Sequence, residues 1–223
     1  MMTESPASGL EKTDGPSESE AKSSTRSCPI KPSLIYDSVG HRYFDGGVQV
    51  PSLSKVMELG GYKSDLSKIP LHILQRKRAL GGAVHEAISL YLHNRLDWTT
   101  VDSAVYPYVA AAVRYIENED VEVEWSELPF GGVDVGFACT PDLLTKRAIR
   151  EWKTTYKIMP DVAIQLAGQA VAVGDLSLER IVVQLKPNGD YDTVQYDDPE
   201  DIVDFQACLR TAKRKIRENW AGK

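Results

Sequence analysis

Cysteine is scarce in this chain, which carries only Cys28, Cys139 and Cys208 among 223 residues. Three widely separated cysteines without Cys-x-x-Cys spacing argue against a disulfide framework or a structural zinc site, and a reducing cytoplasm is the expected compartment. Long apolar runs are also missing. Nothing approaches the roughly 18 consecutive apolar residues that a membrane span needs. The opening MMTESPASGLEKTDGPSESEAKSSTRS lacks the apolar block of a secretory signal. No Gly-x-x-x-x-Gly-Lys-Ser/Thr loop occurs, which argues against an ATP-driven motor, and no Gly-x-Ser-x-Gly elbow occurs either. His85-Glu86 starts a zinc-protease pattern, but Ser89 stands where the second histidine would be required. A net charge of −6 disfavours a protein that coats nucleic acid, while leaving room for one local basic surface.

What is present describes a globular protein with a core. Hydrophobic residues make up 42% and charged residues 26% of the chain, ordinary values for one folded domain. Residues 1–32 are rich in Ser, Glu, Pro, Gly and Lys, cannot offset their ordering entropy by burial, and read as a disordered tail. Residues 33–223 read as a single domain. Within it, SLIYDSVGHRYFDGGVQVPS suggests two short strands around Val39-Gly40. Ser52 is placed to cap a short helix closed by Gly60-Gly61. Leu80, Val84, Ile88 and Leu92 recur at helical spacing over 70–94, with a break expected at Gly81-Gly82. A second helix follows over 103–118. Three strands are then expected, in VEVEWSELPF, VDVGFACTPDLLT and AIREWKTT. A helix over 160–173, a hairpin turning at Asn188-Gly189 and a helix over 199–220 complete the order. That succession implies a mixed α/β fold, a central mixed sheet flanked by helices.

The chemistry concentrates in GFACTPDLLTKRAIREWKTT. Period-two alternation puts Glu151 and Lys153 on one face of the second run, and a hairpin turning at Thr145-Lys146-Arg147 brings Asp142 beside them. Two carboxylates and an ammonium at one end of a sheet suit a divalent cation and a water held against a phosphate. Upstream, GGAVHEAI places His85 on a helix, on the stripe of Ile88 and Leu92, where a lone histidine is more often part of a core. Gln165 lies on the helix after the Glu-x-Lys run. Glu124 and Glu127 precede the hairpin and, taken singly, read as exposed strand carboxylates. Two basic clusters occur, Arg76-Lys77-Arg78 and a C-terminal group from Arg210 to Arg217.

Together GGAVHEA, GFACTPD, EWKTT and QLAGQ resemble, in order and in predicted element, the PD-(D/E)xK nuclease superfamily in its RecB-like and phage-exonuclease branch. YDSVGHRYFDGGVQVPSLSKVMELGGY is similar to the lead-in of phage-encoded members, and the likeness covers about residues 34–186. One departure is Gln169, where the family pattern has tyrosine. The resemblance implies a restriction-endonuclease-like core and a Mg²⁺-dependent deoxyribonuclease, with Mn²⁺ as a substitute. It implies a metal held by His85, Asp142, Glu151 and the carbonyl of Trp152. Lys153 would then orient the attacking water or stabilise charge, and Gln165 would position water or DNA. Glu127 would stand at a second ion or behind the ligands, Gln169 behind the ligands, and Arg76, Lys77 and Arg78 would meet DNA. The implied substrate is double-stranded DNA ends in phage-type recombination or replication, with a single-strand annealing protein as a partner. A structure-specific endonuclease is the runner-up within the superfamily. A CRISPR-associated nuclease fits poorly, because its usual four-cysteine cluster has no counterpart here. A decayed DNA- or protein-binding module is the alternative outside enzymes.

Overall fold

The computed structural model describes residues 31–218. Most of the expected tail, Cys28 and the last turn expected around Trp220 lie outside them. The described chain opens with an antiparallel sheet of β1 (Leu34–Asp37), β2 (Arg42–Asp45) and β3 (Val48–Val50). The sequence suggested two strands here. The third arises because Gly46 (φ 57°) and Gly47 (φ 84°) both take left-handed backbone, as a two-residue hairpin turn requires.

Ser52 caps α1 (Leu53–Gly60), its hydroxyl accepting the Lys55 N–H at 3.1 Å, and Gly61 closes the helix with φ 87°. The next helix, α2 (Leu71–Leu92), runs for 22 residues without the break expected at Gly81-Gly82. Each glycine costs on the order of 1 kcal/mol in a helix. Burial of Val84, Ala87 and Ile88 against α3 (Tyr106–Asn118) offsets it, since one fully buried Ile alone contributes about 1.5–3 kcal/mol.

The central sheet has the order β10-β9-β8-β7-β4, formed by β4 (Trp125–Ser126), β7 (Leu143–Leu144), β8 (Ala148–Lys153), β9 (Glu179–Leu185) and β10 (Tyr191–Tyr196). Only β8 and β9 are parallel, and α4 (Asp161–Val173) crosses between them. The other pairings are antiparallel, so the sheet is mixed. Two expected strands are broken in the structure. VEVEWSELPF yields β4 and then β5 (Phe130–Gly132), because Glu127 turns left-handed (φ 54°) and Pro129 has no N–H to donate. VDVGFACTPDLLT yields β6 (Phe137–Cys139), which pairs with β5 in a separate ribbon, and then β7 after Thr140-Pro141.

Helices cover both faces of the sheet. On one, α1, α4 and α5 (Glu200–Arg217) pack Val56, Leu166 and Phe205 onto Ile149 and Val182. On the other, α2 and α3 pack Val84, Val109 and Ala112 onto Trp152 and Val183. Alternation along β8 therefore sends Trp152 to the α2–α3 core and turns Glu151 and Lys153 toward α4.

Asp45 ties the small sheet to the β5–β6 ribbon. It is buried and accepts bonds from Lys31 Nζ (2.7 Å), Ser33 Oγ (2.6 Å) and Val133 N (2.9 Å). These donors, Lys31 foremost, pull its pKa down to about 2 from an ordinary 3.8. A depressed folded pKa means the stabilisation is complete above pH 4 and is lost as pH falls from about 4 to about 2. Asp45→Asn should flatten the drop in Tm across that window; melting curves at stepped pH with an unchanged acid slope would remove Asp45 from the account.

Candidate active site

The hairpin of β7 and β8 builds the site. Thr145 shapes its turn, the Oγ1 accepting from the Ala148 N–H at 3.0 Å. Leu143 pairs with Arg150, so Asp142 falls at the level of Glu151. Asp142 Oδ2 accepts the backbone N–H of Trp152 at 2.8 Å, and Ser126 Oγ donates to the Asp142 carbonyl at 3.2 Å. The carboxylate is thereby fixed between β4 and β8. Its other oxygen, Oδ1, meets His85 Nδ1 from α2 at 3.1 Å.

Glu151 lies in a second knot of polar contacts. Its Oε1 accepts Lys153 Nζ at 2.8 Å and Gln165 Nε2 at 2.7 Å, and its Oε2 accepts Gln169 Nε2 at 2.8 Å. Lys153 also donates to Gln165 Oε1 at 3.2 Å. Gln165 and Gln169 are one helical turn apart on α4, which is why both reach one carboxylate. Gln169 supplies a third donor to that carboxylate. Its Oε1 is buried and has no partner among the described residues.

Charge crowds this pocket. Burial raises the pKa of Asp142, the Glu151 charge raises it further, and His85 only partly opposes them. For Glu151, burial is outweighed by Lys153, so its pKa is lowered. For His85, burial would lower the pKa, but Asp142, Glu151 and Glu127 together push it up to about 9. Both members of the His85–Asp142 pair thus shift upward, the acid because desolvation and a like charge exceed what one imidazolium returns. Lys153 is raised as well, burial being outweighed by Glu151. Glu127 is exposed as a residue, yet its carboxyl is pushed up to about 8, first by desolvation on the side that faces the pocket and then by Asp142 and Glu151.

Glu127 comes close to the residues expected to hold a metal. Among the described residues, His85, Glu127 and Asp142 each offer one ligand atom, and those atoms lie within 4.8 Å of one another. Glu151 stands beside that trio, its oxygens occupied by Lys153, Gln165 and Gln169. Sequence placed Glu151 among the ligands and Glu127 at a second ion or behind them. The left-handed backbone of Glu127 redirects its side chain, and no residue pattern announces that in a non-glycine position. Glu124 is not part of the group; its Oε2 is buried without a partner among the described residues.

Two cavities flank the knot. One, of about 330 Å³, is lined by Ser52, Ser54, Tyr43, Thr140, Gln165 and Gln169, at the N-terminus of α1. Thr140 is held there by Tyr43, their hydroxyls 2.9 Å apart. The other, of about 770 Å³, begins at Thr154, one residue beyond Lys153. Arg76, Lys77 and Arg78 are exposed on α2, and at about 100° per residue they diverge. Arg76 and Lys77 line a groove with Asp102 and Val105, while Arg78 shares a stripe with Gly82 and His85. In the C-terminal cluster, Lys213 and Lys215 are committed to carbonyls of Val135 and Leu59 at 2.9 and 2.7 Å.

No protein-family model matches the chain, and no curated protein sequence does. Among solved structures, the chain is similar to an alkaline exonuclease from Laribacter hongkongensis. The identity is 16%, the match covers 76% of this chain and 91% of that one, and the TM-score is 0.42. The same exonuclease in complex with dAMP matches at 18% identity over 76% and 90% of the two chains, with a TM-score of 0.40.

Proposed function

We propose that this protein is a divalent-metal-dependent DNA nuclease that hydrolyses phosphodiester bonds, acting from double-stranded ends in phage-type recombination or replication. One observation carries the reading. Asp142, Glu151 and Lys153 share one end of the β7–β8 hairpin, with His85 and Glu127 converging on Asp142 from other elements. Burying carboxylates that repel one another is costly unless a cation joins them.

The donor set fits such an ion. His85, Glu127 and Asp142 would hold it, with Glu151 adjoining. Oxygen donors suit Mg²⁺, and the imidazole makes Mn²⁺ an acceptable substitute. When bound, a divalent ion supplies a more acidic water and polarises a phosphoryl oxygen. The chain's own groups do the remainder. Lys153 has three N–H donors, two of them engaged by Glu151 and Gln165, which leaves one for a phosphoryl oxygen or the attacking water. Gln165 fixes the direction of that ammonium, and Gln169 keeps Glu151 from turning away. Hydroxyls of Ser54 and Thr140 at the N-terminus of α1 suit a phosphate group beside Gln165.

The stripe Arg78–Gly82–His85 is the proposed approach of the DNA backbone. A Cβ on Gly82 would meet no atom within 4 Å. Gly82→Ala should therefore stabilise the protein by about 0.5–1 kcal/mol, through helix propensity, yet slow cleavage of linear duplex several-fold. Thermal melts and initial rates on one preparation check both halves. Faster melting, or cleavage at the full rate, contradicts the path.

The functional reading is tested by digesting end-labelled linear and covalently closed duplex with Mg²⁺, Mn²⁺ or EDTA. Metal-dependent loss of the linear form alone is expected. Nicking of the closed circle would make the protein an endonuclease. Intact DNA in every metal would leave a binding module.

A further inference from the structure

The 770 Å³ cleft that starts at Thr154 is not needed to hold the metal or the scissile phosphate. It runs between α2, the loop after β8 and the turn between β9 and β10. Tyr108 and Leu185 form part of its lining and are themselves buried. Around it stand Lys77, Thr154, Tyr156, Lys157, Lys186 and Asn188.

Two features mark this cleft as a binding surface. First, Tyr156 is fully exposed, an unusual position for an aromatic ring. The loop is held in that posture from below. Gln184 Nε2 donates to the carbonyls of Thr155 at 2.6 Å and Tyr156 at 2.9 Å, so the backbone is tied to β9 while the ring projects outward. Second, the cations differ in their engagement. Lys186 is paired with Asp192 at 2.6 Å, whereas Lys77 and Lys157 have no ion-pair partner among the described residues. In an acidic protein, two uncommitted ammoniums and several hydroxyls beside a presented ring match a polyanion with flat groups attached.

We propose that this cleft binds a single nucleic-acid strand leaving the site, with Tyr156 stacking on an unpaired base and Lys77 and Lys157 on flanking phosphates. An unpaired strand fits better than duplex, because a duplex keeps its base faces covered and offers the ring nothing to stack on. Thr154 follows Lys153 in the chain, so the cleft opens at the same C-terminal end of β8 that carries the ammonium. The identity of that strand, as part of the cleaved substrate, rests on the nuclease reading; the binding surface does not.

The test is fluorescence anisotropy of labelled (dT)12 in EDTA, where no cleavage occurs, across a salt series. Wild-type protein is expected to bind. Tyr156→Ala should weaken binding roughly ten-fold or more, while Tyr156→Phe, which keeps the ring, should stay close to wild type. Removing both free cations in Lys77→Ala/Lys157→Ala should flatten the slope of log K against log salt by about 1.4, at about 0.7 per phosphate on single strands. All three positions are exposed, so circular dichroism should show unchanged folds. No binding of (dT)12 by wild type, or equal affinity of Tyr156→Ala, overturns the proposal. The two readings fail separately. Ring-dependent binding without metal-dependent cleavage sinks the nuclease and leaves the cleft; normal cleavage with ring-independent binding does the reverse.

Discussion

Asp142→Asn is expected to cut metal-dependent cleavage by about 10³-fold or more while leaving the fold at least as stable as wild type. The activity loss follows from removing the carboxylate that His85 and Glu127 converge on. Metal assistance is worth several kcal/mol of barrier, and each 1.36 kcal/mol is about a factor of ten. Stability should not suffer, because asparagine keeps a side-chain oxygen for the Trp152 N–H that Asp142 accepts at 2.8 Å. It also removes a buried negative charge from beside Glu151; burial, and then the Glu151 charge, are what raise the Asp142 pKa. His85 loses its counter-charge, but it can shed its proton and stay neutral. Differential scanning calorimetry without metal, together with Mn²⁺ titration calorimetry, separates the two effects. A variant that is both inactive and several degrees less stable would show that Asp142 is held as a structural acid.

Lys153→Ala should behave differently. Its ammonium is not placed as a metal ligand, so Mn²⁺ affinity is expected to stay near wild type while the single-turnover rate falls by about 10²–10³-fold, the usual cost of one preorganised charge donor. Unlike Asp142→Asn, it should also destabilise. Lys153 pairs with Glu151 at 2.8 Å, with side-chain exposures of 21% and 6%, so deletion leaves a buried carboxylate without its cation. Breaking such a pair costs about 3–5 kcal/mol. The lower end is expected because Gln165 and Gln169 continue to donate to Glu151. For a domain of this size, that is a fall of roughly 6–12 °C in Tm. Equal loss of metal affinity in the Lys153 and Asp142 variants would undo the division of roles.

The residues that sequence could place share strong local signals. Strict alternation in AIREWK put Glu151 and Lys153 on one face of β8, and Asn188-Gly189 marked the β9–β10 hairpin. Spacing of i and i+4 put Gln165 and Gln169 together on α4. The residues that sequence misplaced depend on backbone states or tertiary support that no pattern encodes. Glu127 comes within 4.8 Å of the Asp142 carboxylate from a left-handed backbone. Gly81-Gly82 read as a helix break, but packing of Val84 and Ile88 against α3 carries α2 through them. The two strands expected around Val39-Gly40 gain a third because Gly46-Gly47 bends the chain back into β3. Tyr156 and Lys157 lie in a loop after a strand, where there is no period to read. Gln184, a distant residue on β9, is what presents Tyr156.

The central claim is that the cluster of Asp142, Glu151, Lys153, His85 and Glu127 cleaves DNA. Release of acid-soluble nucleotides from linear duplex, followed side by side for wild type and Asp142→Asn purified identically, addresses it most directly. The account predicts Mg²⁺-dependent release by wild type, abolished by EDTA and absent from Asp142→Asn. Equal release by the two proteins, or none by wild type in Mg²⁺ or Mn²⁺, would contradict it.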